Sequence, residues 1–301
     1  MGDGNVKKPF IMLYEHLDEE VCNRIKELED NCKRFDGTNF KFELDYKLAG
    51  ANINNPKVFR EINEFTYWNG DKLIGYFGIN DFGGRTMEVN GMVHPDYRKL
   101  GIGNKLLSLI MDEWSKRESK DLLLLTDRNS IEGKRLIEKT GATYDHTEFE
   151  MAYNFNSMNS SQARLDLRSA TNNDSEEIAK QNAIYFNEAM EEQERIDIDV
   201  ERNRGFHIYL AYVEDKIIGK VHLHLSKDEG GIFGLGILPE HRSKGFGREL
   251  LQRSVQELIA LGASNIFLQV DDENDAALSL YTSSGFEIKY AMEYSRLVKK
   301  G

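Results

Sequence analysis

The sequence has little of several features that would each indicate a class of protein. Its only two cysteines, Cys22 and Cys32, lie ten residues apart in a predicted helix and therefore on different faces of it. We expect no disulfide between them, and a reducing cytoplasm is the simplest setting. No apolar run approaches the roughly 20 residues that span a bilayer. The polar N-terminus also lacks the apolar core of a signal peptide.

Positive charge is also in deficit. The chain has 39 Lys and Arg against 51 Asp and Glu, which gives a formal net charge of −12. Because neutralising phosphates requires a basic face, this balance argues against a nucleic-acid partner. We expect no membrane partner either. The 301 residues, 40% of them hydrophobic, are enough for two domains, each with its own core.

The sequence contains an internal repeat. Residues 92–107 and 235–251 each read as an apolar strand, a proline, a glycine-rich turn and an amphipathic helix. Arg98 corresponds to Arg242, an offset of 242 − 98 = 144 residues. Further pairs at this offset are Gly75 and Gly219, Pro95 and Pro239, Gly101 and Gly245, and Gly141 and Gly285. A constant offset through strands and loops indicates a duplicated domain.

The repeat and the composition predict two domains of similar fold. A polar, Ser- and Asn-rich stretch at 156–163 is the expected linker, so the predicted domains are 1–155 and 164–301. Strands alternate with helices around hairpins in each half, which predicts a mixed-sheet α/β (α+β) fold. In finer detail, residues 40–51 have patchy strand character, and Asp174 with Glu177 forms a predicted capping box.

The second repeat carries two motifs of a known family. The run Pro239-x-x-Arg242-x-x-Gly245-x-Gly247 resembles motif A of the GNAT acyl-CoA N-acyltransferases. The run Asn274-x-x-Ala277-x-x-Leu280-Tyr281-x-x-x-Gly285-Phe286 resembles their motif B. The resemblance covers residues 164–299 well and residues 10–155 less well. It implies two tandem GNAT-like domains, of which the C-terminal one is catalytic and the N-terminal one is partly degenerate. The tandem layout is similar to that of mycothiol synthase, which does not fix the substrate.

The resemblance also implies acetyl-CoA as acyl donor, with no metal. A glycine-rich turn before a helix presents free backbone N–H groups to phosphate. The implied pyrophosphate cradle is the backbone of Arg242, Ser243, Lys244, Gly245, Phe246, Gly247 and Arg248. The backbone of Leu235, Gly236 and Ile237 would pair with the pantetheine arm, and Asn274 would bind the pantetheine or phosphate region. Tyr281 would be the general acid that protonates the departing thiolate.

The first repeat keeps the loop but not the phenol. At the same offset, Tyr281 corresponds to Ile137 and Asn274 to Ser130, while Asn129 lies one residue out of register. Two interpretations stay open for this half. It binds coenzyme A through a second set of residues, or it is a scaffold that completes the pocket of the other half. The second set consists of Val93, Arg98, Gly101 and Gly103.

The general base is left open by the sequence. Glu229, His222 and His224 are candidates in the second half, and Glu88 lies on the corresponding strand of the first half, where we expect it to face solvent. The two histidines at period two could also suggest a metal, but no third ligand is visible and exposed strand histidines are the simpler explanation. The acidic segment 188–201 either attracts an amine or is a solvated face.

These features predict an N-acetyltransferase that moves an acetyl group from acetyl-CoA to a primary amine. We expect a small-molecule acceptor rather than a protein N-terminus or lysine. The alternative is a non-catalytic protein that binds acyl-CoA and serves a regulatory role. The sequence indicates neither the acceptor nor the oligomeric state.

Overall fold

The computed structural model describes residues 8–50, 61–81, 86–157, 164–186, 189 and 195–299. These residues form two compact units. The first unit comprises residues 1–148 and 290–301, and the second comprises residues 149–289. Both units have the mixed sheet and flanking helices that the sequence predicts. None of the helices in the described ranges is long and apolar enough to cross a membrane.

The first unit is built on strands β1 to β5. Its helices and strands are β1 (Pro9–Tyr14), α1 (Glu19–Asp36), α2 (Leu44–Gly50), β2 (Glu64–Asn69), β3 (Lys72–Asn80), β4 (Thr86–Val93), α3 (Ile102–Lys116), β5 (Asp121–Asp127), α4 (Ile131–Glu138) and β6 (Thr143–Tyr153). Neighbouring strands are antiparallel except β4 and β5, which are parallel. Helices α3 and α4 pack on one face of the sheet, and α1 and α2 pack on the other.

The second unit repeats this plan. Its elements are β7 (Asp166–Ser169), α5 (Ser175–Phe186), α6 (Ile198–Asn203), β8 (Phe206–Val213), β9 (Lys216–Ser226), β10 (Glu229–Ile237), α7 (Phe246–Leu261), β11 (Asn265–Asp271), α8 (Asp275–Ser283) and β12 (Phe286–Val298). Strands β10 and β11 are parallel, and α7 and α8 pack on one sheet face while α5 and α6 pack on the other. The matching order of the elements along the chain supports the duplication.

Helix α1 shows how the local sequence selects an element. Asp18 accepts a hydrogen bond from the Val21 N–H at 2.8 Å, which satisfies one free donor of the first turn. Gly37 ends the helix at φ 71°, a left-handed conformation that glycine adopts without strain. Cys22 and Cys32 are both buried in this helix. They are free thiols, in agreement with the expectation that no disulfide joins them.

The units divide the chain differently from the predicted domains 1–155 and 164–301. Strand β6 begins in the first unit and ends in the second, and the last twelve residues, 290–301, belong to the first unit. There β12 pairs with β5 antiparallel, from Met292 opposite Asp127 to Val298 opposite Asp121. In the second unit, β6 is the neighbour of β11. The two corresponding strands have therefore exchanged places, which a constant repeat offset does not reveal.

Two smaller predictions are wrong. Residues 44–50 form helix α2 rather than a strand, because Leu44 is buried with α1 against a shared apolar cluster. The capping box before α5 pairs Asp174 with Thr171 rather than with Glu177. The Thr171 N–H donates to the Asp174 carboxylate at 2.8 Å, and Glu177 instead accepts from Gln181.

Candidate functional site

Each unit carries a loop with the same backbone path between a strand and a helix. A short 3₁₀ turn follows the strand, at Pro95–Tyr97 in the first unit and Pro239–His241 in the second. Lys99 and Ser243 then adopt positive φ values of 65° and 59°. Gly101 and Gly245, at φ 83° and 86°, are the N-cap residues of α3 and α7. The two loops therefore share their backbone conformation as well as their sequence pattern, including the residues with positive φ.

These loops leave a space that suits an anion. The first N–H groups of any α-helix have no intrahelical partner. In α3 and α7 no capping side chain binds them either. A Cβ at Gly101 would meet nothing within 4 Å, and one at Gly245 would meet only the tip of Arg164, at 3.0 Å. At Gly247 a Cβ would be in ordinary contact with Leu280, at 3.6 Å. The protein interior does not require these glycines for space. The positive φ of Gly101 and Gly245 is what favours glycine at these two positions.

The motif arginines support the loops from behind. Arg242 Nε donates to the Ile237 carbonyl at 2.9 Å, and Arg98 Nε donates to the Val93 carbonyl at 3.0 Å. Arg98 also forms an ion pair with Asp36. Each guanidinium therefore fixes the end of the strand against the loop. Both arginines are thus placed to shape the backbone of the loop.

Arg164, which the sequence did not single out, lies at the second loop. Its Nη1 donates to the Lys244 carbonyl at 3.2 Å, and its Nε donates to buried Glu249 at 3.1 Å. Its guanidinium stacks over the Phe246 ring with 5.0 Å to the centroid. Arg248 is used differently, because it binds Ser283 and Ser284 at the end of α8. Arg164 thus adds positive charge beside the loop, and the sequence did not reveal it because it lies far along the chain from motif A.

The strands beside each loop separate before they end. Strands β10 and β11 pair only as far as Ile232 opposite Leu268, although β11 continues to Asp271. The register of β10 with β9 shifts between Phe233 and Gly236, which is a β-bulge. Leu235, Gly236 and Ile237 follow this point, so their backbone groups on the β11 side are not paired with β11. They form an open strand edge, as backbone pairing with an extended ligand requires.

Gly236 also has a role inside the fold. A Cβ built there would overlap the ring of Tyr185, from helix α5. Tyr185 donates to Gln181 at 2.8 Å, and burial raises the pKa of its phenol. The ring therefore lies directly on the bulged strand, and glycine at 236 permits this. In the first unit β4 and β5 separate after Val89 and Leu124, which places Val93 on the open part of that strand.

Helix α8 brings Asn274 and Tyr281 to this region. The Asn274 side-chain oxygen accepts from the Ala277 N–H at 3.1 Å, so Asn274 is the helix N-cap. Tyr281 packs against the main core and near the Phe286 ring, and burial raises the pKa of its phenol. In the first unit, Ser130 caps α4 in the same way, which makes Ser130 and not Asn129 the counterpart of Asn274.

The first unit contains a cavity of about 560 Å³ beside its loop. The loop residues Arg98, Gly101 and Gly103 line it, as does Val93. The remaining lining combines core side chains under α3 and α4 with polar ones, among them Asn90, Thr126, Asp127 and Ser130. It includes Phe77, Val89, Leu107, Leu124 and Ile137. All four residues predicted to bind coenzyme A in this half therefore meet at one cavity.

The second unit contains a buried lysine that the sequence analysis missed. Lys220 of β9 is fully buried, with Nζ 3.1 Å from the Gly234 carbonyl in the bulge and 3.3 Å from His222 Nε2. It also lies over the Tyr185 ring, at 5.5 Å. Burial lowers its pKa to about 7, and burial together with Lys220 holds the pKa of His222 well below its usual range. The available signal was a lysine among the apolar residues Ile217, Ile218 and Val221 of this strand.

The other base candidates lie elsewhere. Glu229 is exposed at the start of β10, where it is paired with Asn265 of β11, and the bulge lies at the other end of the strand. His224 contacts the Arg204 carbonyl at 3.2 Å and stacks near Phe206. Of the three candidates, only His222 adjoins Lys220 and the bulge.

Glu88 is largely buried, whereas the sequence analysis expected it to face solvent. Its side chain is 18% exposed and lies 4.0 Å from Lys41 Nζ, and burial raises the pKa of its carboxyl. Lys41 also binds Glu148 at 2.9 Å and the Tyr294 hydroxyl at 2.7 Å. Glu88 is thus part of a buried polar cluster in the first unit, which strand β12 completes.

The acidic segment 188–201 is described only in part, since residues 188 and 190–194 lie outside the described residues. Asp197 caps helix α6 by accepting from the Val200 N–H at 3.2 Å. Asp199 pairs with Arg202 at 2.8 Å and Glu201 pairs with Arg204 at 2.7 Å. These described acids serve the helix itself, which matches the interpretation as a solvated face.

The buried ammonium predicts a pH-dependent stability. The unfolded chain keeps a proton on Lys220 up to about pH 10.4, whereas the folded chain loses it near pH 7. Between these values the unfolded state binds more protons, so stability rises with pH. We expect the free energy of unfolding of the wild type, minus that of Lys220→Met, to rise by up to about 1.4 kcal/mol per pH unit in this window.

Urea denaturation across that pH range measures this difference. Lys216→Met, at an exposed lysine on the same strand, is the control and should give a difference independent of pH. A flat difference for Lys220→Met would mean that the ammonium is solvated in the folded protein.

Comparisons with known proteins agree with this geometry. The sequence model of the acetyltransferase (GNAT) family matches residues 172–286, and a GNAT acetyltransferase domain model matches residues 62–142. One similar solved structure is a GCN5-related N-acetyltransferase from Sphaerobacter thermophilus, with a TM-score of 0.71 and 18% identity over 96% of this chain and 95% of that one. A tandem GNAT protein from the clavulanic acid biosynthesis pathway has a TM-score of 0.73 and 12% identity over 98% and 99%. A GNAT-family acetyltransferase from Colwellia psychrerythraea has a TM-score of 0.60 and 12% identity over 96% and 100%. At these identities the structural similarity is one of fold.

Proposed function

Because this chain belongs to the GNAT acetyltransferase family and has two of its domains in tandem, we propose that it transfers an acetyl group from acetyl-CoA to the primary amine of a small molecule. The observation that carries the proposal is the left-handed glycine N-cap beside an open strand edge in the second unit. Acetyl-CoA supplies the acetyl group as an activated thioester. The N–H groups at the start of α7 hold its phosphates, and Arg164 adds a nearby positive charge.

We place the chemistry in the second unit because it alone has a phenol at the seventh residue after the helix cap. Tyr281 occupies that position in α8, and Ile137 occupies it in α4. Burial raises the pKa of Tyr281, so its hydroxyl stays protonated at neutral pH and serves as the proton donor to the leaving group. The backbone of the bulge at Gly234 and Gly236 orients the thioester.

The proton of the acceptor amine requires a base on the opposite sheet face. We assign this role to His222, which is half-buried and neutral, with Lys220 as its hydrogen-bonded partner. A lysine whose pKa lies near 7 can hold a proton received through the imidazole and return it to solvent. This assignment keeps acid and base on separate elements, α8 and β9.

An acetyl-transfer assay over a panel of amines tests the proposal. The panel contains small primary amines, polyamines, amino acids and peptides with a free N-terminus or lysine, and free thiol release is the readout. Turnover with small amines is expected. Turnover with peptides alone would move the acceptor to a protein. Tight acetyl-CoA binding with no turnover on any amine would favour the non-catalytic regulatory alternative.

A further inference from the structure

The amine of Lys220 lies at the bulge of the second unit, where the open strand edge begins. Its Nζ is 3.1 Å from the Gly234 carbonyl. A Cβ built on Gly234 would lie 3.0 Å from the same nitrogen, so the amine fills the space beside Gly234 that a side chain would take. The open edge, residues 235–237, starts at the next residue. The amine therefore lies at the same stretch of backbone that we propose to orient the thioester.

The surroundings of this amine favour its neutral form. Besides the Gly234 carbonyl, Nζ contacts His222 Nε2 at 3.3 Å and the face of the Tyr185 ring, with 5.5 Å to the centroid. Among the described residues, no carboxylate pairs with it, and burial lowers its pKa to about 7. At pH 8 most of Lys220 is therefore neutral, whereas an exposed lysine with a pKa of about 10.4 is neutral to less than about 1%. A neutral amine is the nucleophilic form of lysine.

We propose that Lys220 is a site of self-acetylation, at which the protein transfers the acetyl group of acetyl-CoA to its own side chain when no acceptor amine is present. The inference rests on the proposed use of acetyl-CoA by the second unit. It adds a covalent modification site within the fold. Because Lys220 is fully buried, acetyl-CoA held in the second unit is the donor, rather than acetyl-CoA colliding from solvent.

The residues around Lys220 balance the transfer. The lone pair of the neutral Nζ attacks the acetyl carbonyl, a C–N amide bond forms, and the C–S bond breaks. The sulfur leaves with the bonding electron pair and takes a proton from Tyr281, the proposed acid. The proton that Nζ loses passes to His222, whose imidazole is neutral because its pKa is held well below the usual range. The products are acetylated Lys220 and free coenzyme A.

Incubation of the full chain with acetyl-CoA at pH 8, without any amine, tests the proposal. Free thiol release, intact mass and peptide mapping are the readouts. Thiol release should stop at one per chain, because the amide is no longer nucleophilic, and the acetyl group should map to Lys220. Lys216, exposed on the same strand, is the internal control. Lys220 should be labelled about 100-fold faster or more, from the difference in neutral fraction.

Variants locate the donor that labels Lys220. Gly245→Val, which disables the second loop, should reduce labelling of Lys220 to the level of Lys216, whereas Gly101→Val should leave it unchanged. Lys220→Arg should remove the label and Lys216→Arg should retain it. An excess of free coenzyme A provides the same test in the wild type, since it should suppress labelling of Lys220 and not that of Lys216. This measurement decides if Gly245→Val fails to fold.

The outcomes separate this inference from the proposed function. Equal labelling of Lys216 and Lys220, no label on Lys220, or labelling of Lys220 that excess coenzyme A leaves unchanged overturns the inference. Turnover on the amine panel without a label on Lys220 overturns the inference alone and leaves the proposed function standing. A label on Lys220 without turnover on any amine supports the inference and counts against the small-molecule acceptor.

Discussion

Gly245→Val should lower the affinity of the second unit for acetyl-CoA by at least about 100-fold. Gly245 has a φ of 86°, and valine adopts this left-handed conformation only at a cost of roughly 1–2 kcal/mol. The loop will therefore shift and displace the first N–H groups of α7. Hydrogen bonds to a charged group contribute about 1.5–3 kcal/mol each, so losing two of them accounts for the expected 100-fold.

The same helix provides a matched control. Gly262 ends α7 in the left-handed conformation, at φ 105°, and a Cβ there would meet nothing within 4 Å. Gly262→Val should therefore cost about as much stability as Gly245→Val while leaving acetyl-CoA binding intact. Calorimetric titration and melting temperatures of both variants make the comparison. Equal binding by the two variants would remove the phosphate assignment from residues 242–248.

The corresponding variant of the first unit extends the test. Gly101→Val should remove coenzyme A thioester binding there, because Gly101 has φ 83° and the same N-cap position. Binding stoichiometry then distinguishes the units, since each single variant should retain one site. The double variant should retain none.

The sequence predicts the features that depend on short stretches of chain. Proline, arginine and glycine at fixed spacing specify each loop, because a left-handed N-cap requires glycine whatever surrounds it. The paired φ values of Gly101 and Gly245 confirm this, as do the helices that follow them. The absence of a disulfide between Cys22 and Cys32 was likewise predicted from their spacing within one helix.

The features that were not predicted depend on residues far apart in the chain. Strands β6 and β12 have similar places in the two repeats, so sequence alone gives no preference for β12 beside β5. Arg164 reaches the second loop across some eighty positions, as its bond to Lys244 shows. Lys220 stands out only as a lysine among apolar strand residues, and its contact with the Gly234 carbonyl depends on the bulge in β10. In each case the determining contact is tertiary, and local propensity carries no information about it.

The second large effect is expected at the phenol of α8. Tyr281→Phe should lower the turnover number by roughly 100-fold or more, the usual contribution of a positioned general acid. Affinity for acetyl-CoA should hardly change, because the ring still packs against the core and near Phe286. Steady-state kinetics therefore should show a loss in kcat without a matching rise in KM.

Tyr153→Phe is the control for this substitution. Tyr153 lies on β6, its ring also contacts Phe286 at a centroid distance of 5.2 Å, and burial raises the pKa of its phenol as well. It thus shares the packing of Tyr281 but lies on another element. We expect Tyr153→Phe to keep near-normal turnover. If the two variants lose turnover equally, Tyr281 is a packing residue and the proton donor lies elsewhere.

The pH profile gives an independent test of the same assignment. Burial raises the pKa of Tyr281, so the acid stays protonated through neutral and mildly alkaline pH and produces no alkaline decline there. The base side titrates lower, since the pKa of Lys220 is about 7. We therefore expect kcat/KM to rise through pH 7 and then reach a plateau. Tyr281→Phe should lower the plateau without moving the rise, because the acid and the base lie on different elements and titrate separately.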